Sequence, residues 1–414
     1  MLEFTKKIFP LNRSLTGKEV IKTLSIIKEK IPNLSIHRVK SRTKVFDWTV
    51  PDEWNVKDAY LINPKGKKLA DFKLNNIHLM GYSIPIKKTL NLNDLKKKLY
   101  YLKKLPNAIP YVTSYYKKDW GFCIKYNDFK KLKKGNYKVF INSSLKKGIL
   151  SYGHVLIKGK SKKEILLSTN ICHPSLANNE CSGITLLTYL AEWLNKQKLN
   201  YSYRIVFVPE TIGALCFIKK NINKLKKNVI GGYTITCVGD DRVFSYLPSR
   251  NGNTISDKIA IRVLSRNKKG FKTYSWLDRG SDERQYCSPN LDLPIASIMR
   301  SKYSCYKEYH NSLDKIGKVV TEKGLQGSFK VYKEVIKLFE KNYRPIAVNL
   351  GEPFLKKHGL FKSKAYTNDV RLVSDILTYC DGDNDLNDIA DKCKVDFKKI
   401  FSIINKLKKK KLII

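Results

Sequence analysis

Four apolar runs of strand length are separated by stretches of helical spacing: "EILLST" from Glu164, "YRIVFVPE" from Tyr203, "GGYTITCVGD" from Gly231 and "LPIASIMR" from Leu293. The helical stretches include "ITLLTYLAEWL" and "GALCFIKKNINKL". Continuous apolar strands are buried on both faces, and strands alternating with helices imply a mostly parallel, mixed sheet sandwiched by helices. The predicted class is α/β. Sheets of this kind bind ligands beyond the carboxyl ends of their strands.

The polar residues collect at those ends. "STNICHPSLANNECSG" follows the first run and carries His173 and Glu180. Glu210 ends the second run, Cys237 and Asp240 close the third, and His310 lies in "YKEYHNSLD" beyond the fourth. The chain has only six His, and two of them converging with several carboxylates points to a metal. Zinc takes His nitrogen and carboxylate oxygen, and a catalytic site leaves one position for water, which a nearby carboxylate can deprotonate. The residues alone also allow blander roles. His173 could be hydrogen-bonded within its loop, Glu210 could sit at a helix N-terminus, and His310 could belong to a turn.

The order of the His-Pro loop, "NNECSG", "VPETIG", "GSDERQYCSPNLDLPIAS" and the Tyr-His-Asn-Ser turn resembles the zinc aminopeptidase and glutaminyl cyclase superfamily. "KVFDWTVPDEWNVKDAY", "PYVTSYYKKDWGFC" and "SDERQYCSP" are similar to a bacterial aminopeptidase-like subfamily often labelled as polysaccharide-biosynthesis proteins with an aminopeptidase-like domain. The resemblance covers essentially the whole chain. It implies a zinc-exopeptidase-like fold interrupted by a small β-rich domain and closed by a winged helix. It assigns His173 and His310 as metal ligands, Glu210 as general base and Asp282 as a carboxylate supporting the site.

Two positions depart from the two-zinc pattern. Asn179 stands where a bridging Asp is expected, and Thr211 where a second Glu follows the base. The strand-end Asp ligand falls at Cys237, with Asp240 three residues on. Losing these carboxylates removes charge that holds two cations together, so one zinc per chain is expected, held by His173, Glu180 and His310. Asn179, Cys237, Asp240 and Asp282 are supporting or alternative ligands. The expected enzyme hydrolyses an amide of a small peptide, amino-acid conjugate or amino-acylated sugar. The alternative is a non-catalytic protein that keeps the fold and uses its winged helix and basic surface to contact nucleic acid or a protein.

Domain organisation is expected as 1–57 and 154–344 for the aminopeptidase-like domain, 58–153 for the β-rich insertion and 345–414 for the winged helix. In the insertion, "LNDLKKKLYYLKKL" reads as a helix, and Tyr115, Tyr116 and Trp120 as core or as a substrate platform. The last unit shows three helical periods, and "NKLKKKKLII" offers lysines but no base-reading pattern, which favours protein contact over DNA. Lys and Arg number 80 against 36 acidic residues, a formal charge of +44. The lysines are spread through every segment, as a solvated basic surface or as attraction to a polyanion. Nine unpaired Cys suggest reduced thiols. With no apolar run of roughly 18 residues, a cytoplasmic protein without membrane contact is expected, with a homo-oligomer allowed.

Overall fold

In the computed structural model, which describes residues 1–360 and 368–414, the apolar runs form the middle of an eight-stranded mixed sheet. Strands of three or more residues are, in chain order, β1 (Ser35–Lys40), β2 (Glu53–Ile62), β3 (Lys68–Asp71), β4 (Ile86–Asn91), β5 (Asn136–Lys146) and β6 (Ile149–Ile157). They continue as β7 (Glu164–Asn170), β8 (Ser202–Val208), β9 (Val229–Thr234), β10 (Phe244–Leu247), β11 (Phe271–Thr273) and β12 (Ile295–Met299). The large sheet runs β1-β6-β8-β7-β9-β12-β10-β11. Its central four strands are mutually parallel, and antiparallel pairs flank them. Every residue of β7, β8 and β12 is buried, as expected of apolar-rich strands covered on both faces.

Helices of seven or more residues are α1 (Leu2–Ile8), α2 (Lys18–Lys30), α3 (Ser182–Leu194), α4 (Ile212–Asn228), α5 (Ile255–Leu264) and α6 (Glu322–Lys341). α7 (Asn368–Thr378), α8 (Leu386–Lys392) and α9 (Phe397–Lys409) complete the set. α3 meets the sheet so closely that a Cβ on Gly183 would lie 2.5 Å from the Ile235 carbonyl oxygen and from Thr169 Oγ1. The glycine of "NNECSG" therefore sets how near the polar turn comes to the strand ends.

β1 and β6 pair antiparallel with Lys40 opposite Ile149. The chain leaves the large sheet and re-enters it on the same rung. Between these points lies a four-stranded antiparallel sheet ordered β3-β2-β5-β4. The boundaries expected at 58 and 153 fall inside β2 and β6, because alternation alone does not show where a strand changes sheets. The helix expected over "LNDLKKKLYYLKKL" is confined to Leu92–Lys96, since Leu99 and Tyr100 pair with Phe122 and Cys123. The sequence from Thr16 to Glu19 has the pattern of a capping box, which the structure does not form. Gly17 caps α2, while the Thr16 hydroxyl pairs with the Tyr82 hydroxyl at 2.7 Å and accepts from the Trp54 N–H at 3.1 Å.

The described residues divide into two compact units, Met1–Lys333 and Glu334–Ile414, with the division inside α6. In the second unit α9 buries Phe397, Ile400, Ile404 and Leu407, and its lysines at 398, 399, 406, 408 and 409 are exposed. Asp385 and Asp388 form a capping box on α8, and Ile413 bridges back to Ala347. Among the described residues no helix is long and apolar enough to cross a membrane.

One ion pair is buried in the large sheet. Arg204 donates Nε and Nη2 to the two oxygens of Glu164 at 2.6 and 2.8 Å, with the side chains 4% and 2% exposed. Glu164→Gln leaves a buried guanidinium without its counter-ion and is expected to cost about 3–5 kcal/mol in urea unfolding. The apolar double replacement Glu164→Leu with Arg204→Met is expected to recover most of that loss.

Candidate functional site

β7 ends at Asn170, and the chain turns through Cys172 and His173 into a single π-helical turn, Ala177–Cys181, which runs into α3. Asp314 holds the turn in place by accepting the N–H groups of Asn178 and Asn179 at 2.8 and 3.0 Å. Glu180 is thereby aimed at His173. Its Oε1 accepts the His173 N–H at 3.0 Å and its Oε2 contacts Nδ1 at 2.9 Å. A proton on Nδ1 leaves the Nε2 lone pair of a neutral ring facing away from Glu180. Burial opposes protonation of His173, but Cys172 and Glu180 prevail and raise its pKa well above the usual histidine range.

Glu210 follows β8, and its Oε2 lies 3.8 Å from Nε2 of His173. Asn170 Nδ2 donates to Glu210 Oε1 at 3.1 Å and to Ser281 Oγ at 3.0 Å. The next residue, Thr211, has φ 64° and ψ −80°, and the Ile212 N–H bonds the Glu210 carbonyl at 2.8 Å. This is a γ-turn of the rare, strained kind, held by Asp282, whose Oδ1 accepts the Thr211 N–H at 2.7 Å. Burial raises the Glu210 pKa, partly offset by the charge of His173. Asp282 is raised well above the carboxylate range by burial and then by Glu210.

His310 comes from the loop beyond β12 and has φ 53°. The inserted segment fixes it in place: its carbonyl accepts the Tyr111 N–H at 2.8 Å, and Ser312 Oγ accepts the Ile109 N–H at 2.9 Å. The ring stacks on Tyr309 at 3.9 Å between centroids, lies 5.3 Å from the His173 ring, and meets Tyr111 edge to face. Burial and the nearby charge of His173 lower its pKa to about 3, so it is a neutral donor at pH 7. Non-glycine residues at positive φ recur around the site, at Ser175, Thr211, Cys237 and His310, as is common where a framework imposes geometry on functional groups.

His173, Glu180, Glu210, Asp282 and His310 thus converge. Glu180, expected as a metal ligand, has both oxygens engaged by His173. Asp240 is used structurally: it accepts from Asn178 Nδ2 at 3.0 Å and from the N–H groups of Arg242 and Ser301 at 2.8 and 3.1 Å. Cys237 is buried beside Met299, Tyr303 and Tyr306, and burial keeps its thiol protonated. Asn179 is fixed through its backbone, with its carbonyl accepting from the Thr236 hydroxyl at 2.7 Å. Cys172, Asn170, Asp314 and Tyr111 were not singled out from the sequence. The last two sit in "HNSLD" and "PYVTSYY", motifs in which other residues drew attention.

Among the described residues, three donor atoms within 4.8 Å of one another come from Cys172, His173 and Glu180. Hydrogen bonds already account for that closeness, and burial pushes the Cys172 thiol up to about 11. Two of the site's buried atoms, Nε2 of His310 and Oδ2 of Asp282, have no hydrogen-bond partner. With Nε2 of His173 and the Glu210 carboxylate 3.8 Å from it, they are nitrogen and oxygen donors of the types zinc accepts.

Residues 2–342 match a family described as a domain of unknown function, DUF4910, and residues 343–414 match a winged helix-turn-helix family. A Clostridium acetobutylicum protein, provisionally named as a polysaccharide biosynthesis protein with an aminopeptidase-like domain, is 44% identical over 400 residues, 95% of this chain and 91% of that protein. A crystal structure from the same organism, provisionally described as a peptidase, superposes with a TM-score of 0.89 at 42% identity, covering 100% of this chain and 95% of the other. The zinc aminopeptidase BSAP of Bacillus subtilis superposes with a TM-score of 0.57 at 12% identity, over 81% of this chain and 94% of that one. That last likeness is one of fold.

Proposed function

The chain belongs to the DUF4910 family and has an aminopeptidase-like fold followed by a winged helix, and from that premise we propose that it is a metal-dependent amide hydrolase. Its substrate class is a small peptide, an amino-acid conjugate or an amino-acylated sugar. The observation that carries this reading is the open Nε2 of His173, with its Nδ1 gripped by Glu180 and its other side facing Glu210 at 3.8 Å.

One zinc ion would be held by His173 and His310. A second ion is disfavoured because the amide of Asn179 and the hydroxyl of Thr211 bring no negative charge. Bound zinc lowers the pKa of its water to about 7 and polarises a carbonyl. The work of the chain is to hold and move protons. Glu210, with Oε1 held by Asn170, accepts the proton of the attacking water on its carboxylate and returns it to the departing amine. Glu180 fixes the tautomer and tilt of His173, and the stacked Tyr309 fixes His310. Tyr111 shields both imidazoles from water, with ring centroids 5.2 Å from each.

The reading is tested by incubating the zinc-loaded protein with a panel of aminoacyl anilides, dipeptides and aminoacyl amino-sugars, and following the released amine by mass spectrometry. Turnover that stops on chelation and returns with zinc supports it; an inert protein across the panel counts against it. Glu180→Gln is expected to weaken zinc binding by about 10–100-fold, the usual effect of removing a carboxylate behind a ligating histidine. Chelator competition reads this directly.

A second reading, a non-catalytic binding protein, is favoured by the same Asn179 and Thr211. Its partner would be a protein or nucleic acid at the winged-helix unit. Nucleic-acid affinity falling steeply with salt, and lost on removing residues 345–414, would support it.

A further inference from the structure

A cleft of about 1320 Å³ borders the loops that carry His173 and His310, with Ser175 and Ser312 in its lining. The turn after α1, the start of α2, strands β2 and β5 of the inserted sheet, and the segment 72–76 line it. None of His173, Glu210, Asp282 or His310 reaches it. Six lysines, at 18, 22, 57, 73, 146 and 315, stand on its walls against Glu19 and Glu53. Lys73 is paired with Asp58 at 3.2 Å, and the other five have no ion-pair partner among the described residues. Glu53 is occupied by Asn55 Nδ2 and the Ile149 N–H, each at 2.9 Å. Exposed cations that line one concavity and outnumber its carboxylates give it a positive field.

The remaining lining selects among anions. Asn76 is 8% exposed, donates Nδ2 to the Pro10 carbonyl at 3.2 Å, and has no partner for Oδ1. That oxygen is closed off from solvent, so the amide acceptors a ligand can reach are those of Asn12 and Asn142, and an amide acceptor is satisfied by an O–H or N–H donor, which a bare phosphate dianion lacks. Asn12 and Asn142 add amides to the same lining, and Phe9 and Phe72 add half-buried apolar rings. Stacking of nucleic-acid bases needs an open aromatic face, and the one Trp here, Trp54, is 3% exposed and stacked on Tyr82. We propose that this cleft binds an acidic oligosaccharide, a chain carrying both hydroxyl donors and carboxylate or phosphate groups, and that it does so independently of the metal site.

The test uses isothermal titration calorimetry on the full-length protein with oligogalacturonate, its methyl-esterified neutral form, and a single-stranded oligonucleotide. Lys22→Glu/Lys57→Glu/Lys146→Glu, all at exposed positions, is compared with the parent and with His173→Ala. The expected result is binding of the acid form that is unchanged in His173→Ala, weakens about tenfold in the triple variant, and falls from about 50 to about 300 mM salt. The ester is expected to bind much more weakly. Equal affinity for acid and ester would overturn the proposal, as would an oligonucleotide that binds more tightly than the glycan, or affinity indifferent to the three lysines. Failure with His173→Ala alone would place the ligand in the metal site instead. Thermal melts confirm that the triple variant is folded, and Lys57→Gln with Lys146→Gln provides a milder pair expected to move affinity in the same direction.

Discussion

Full-length protein purified in the presence of zinc is expected to carry about one ion per chain, and His173→Ala and His310→Ala are each expected to lose it. The two imidazoles are the nitrogen donors of the site, each oriented before an ion arrives: His173 by Glu180, His310 by Tyr309 and the inserted segment. Removing either should therefore weaken binding by more than the roughly 10–100-fold attached to outer groups such as Glu180. Elemental analysis on folded protein, judged by circular dichroism, gives the count. Two ions per chain would show that Asn179 and Thr211 are no obstacle to a dinuclear centre. None, even with zinc in excess, would sink the hydrolase and leave the binding reading.

Glu210→Gln is expected to reduce turnover by about 10²–10⁴-fold, the range of a positioned general base, while zinc content stays at the parent level. The amide keeps the shape and the contact with Asn170 but cannot take a proton from water. The pH profile supplies the second readout. Burial raises the Glu210 pKa, the base acts as carboxylate, and so activity should climb with pH through a value above the ordinary glutamate range. Glu210→Gln should remove that acidic limb. Loss of activity together with zinc would instead make Glu210 a ligand.

The large sheet was readable from the sequence because its central strands are buried on both faces, and only continuous apolar runs survive there. His173, Glu210 and His310 were readable because each follows such a run. Glu180 was readable as a neighbour of His173, but its contacts were not: sequence spacing cannot show that a π-helical turn points both of its oxygens at His173. Asp314 and Tyr111 make their contacts across 135 and 199 positions of sequence, to Asn179 and His310, and no local pattern marks contacts of that range. The failed helix after residue 91 and the failed cap at Thr16 have one cause. Strand pairing and a buried tyrosine claimed groups that local propensity had assigned elsewhere.

The rung shared by Lys40 and Ile149 has a consequence for how the chain can change length. Roughly a hundred residues enter and leave the large sheet through one pair of neighbouring positions, so the host strands meet the insertion only as a loop to be closed. Closure entropy grows with the logarithm of loop length, and doubling such a loop costs only about 0.6 kcal/mol. The register of β1 on β6, and with it the strand ends that carry the histidines, is thus thermodynamically almost blind to the insertion's size. The module can therefore be lengthened or trimmed at little cost to the sheet wherever the stretch from Ile109 to Tyr111, which holds His310, is kept.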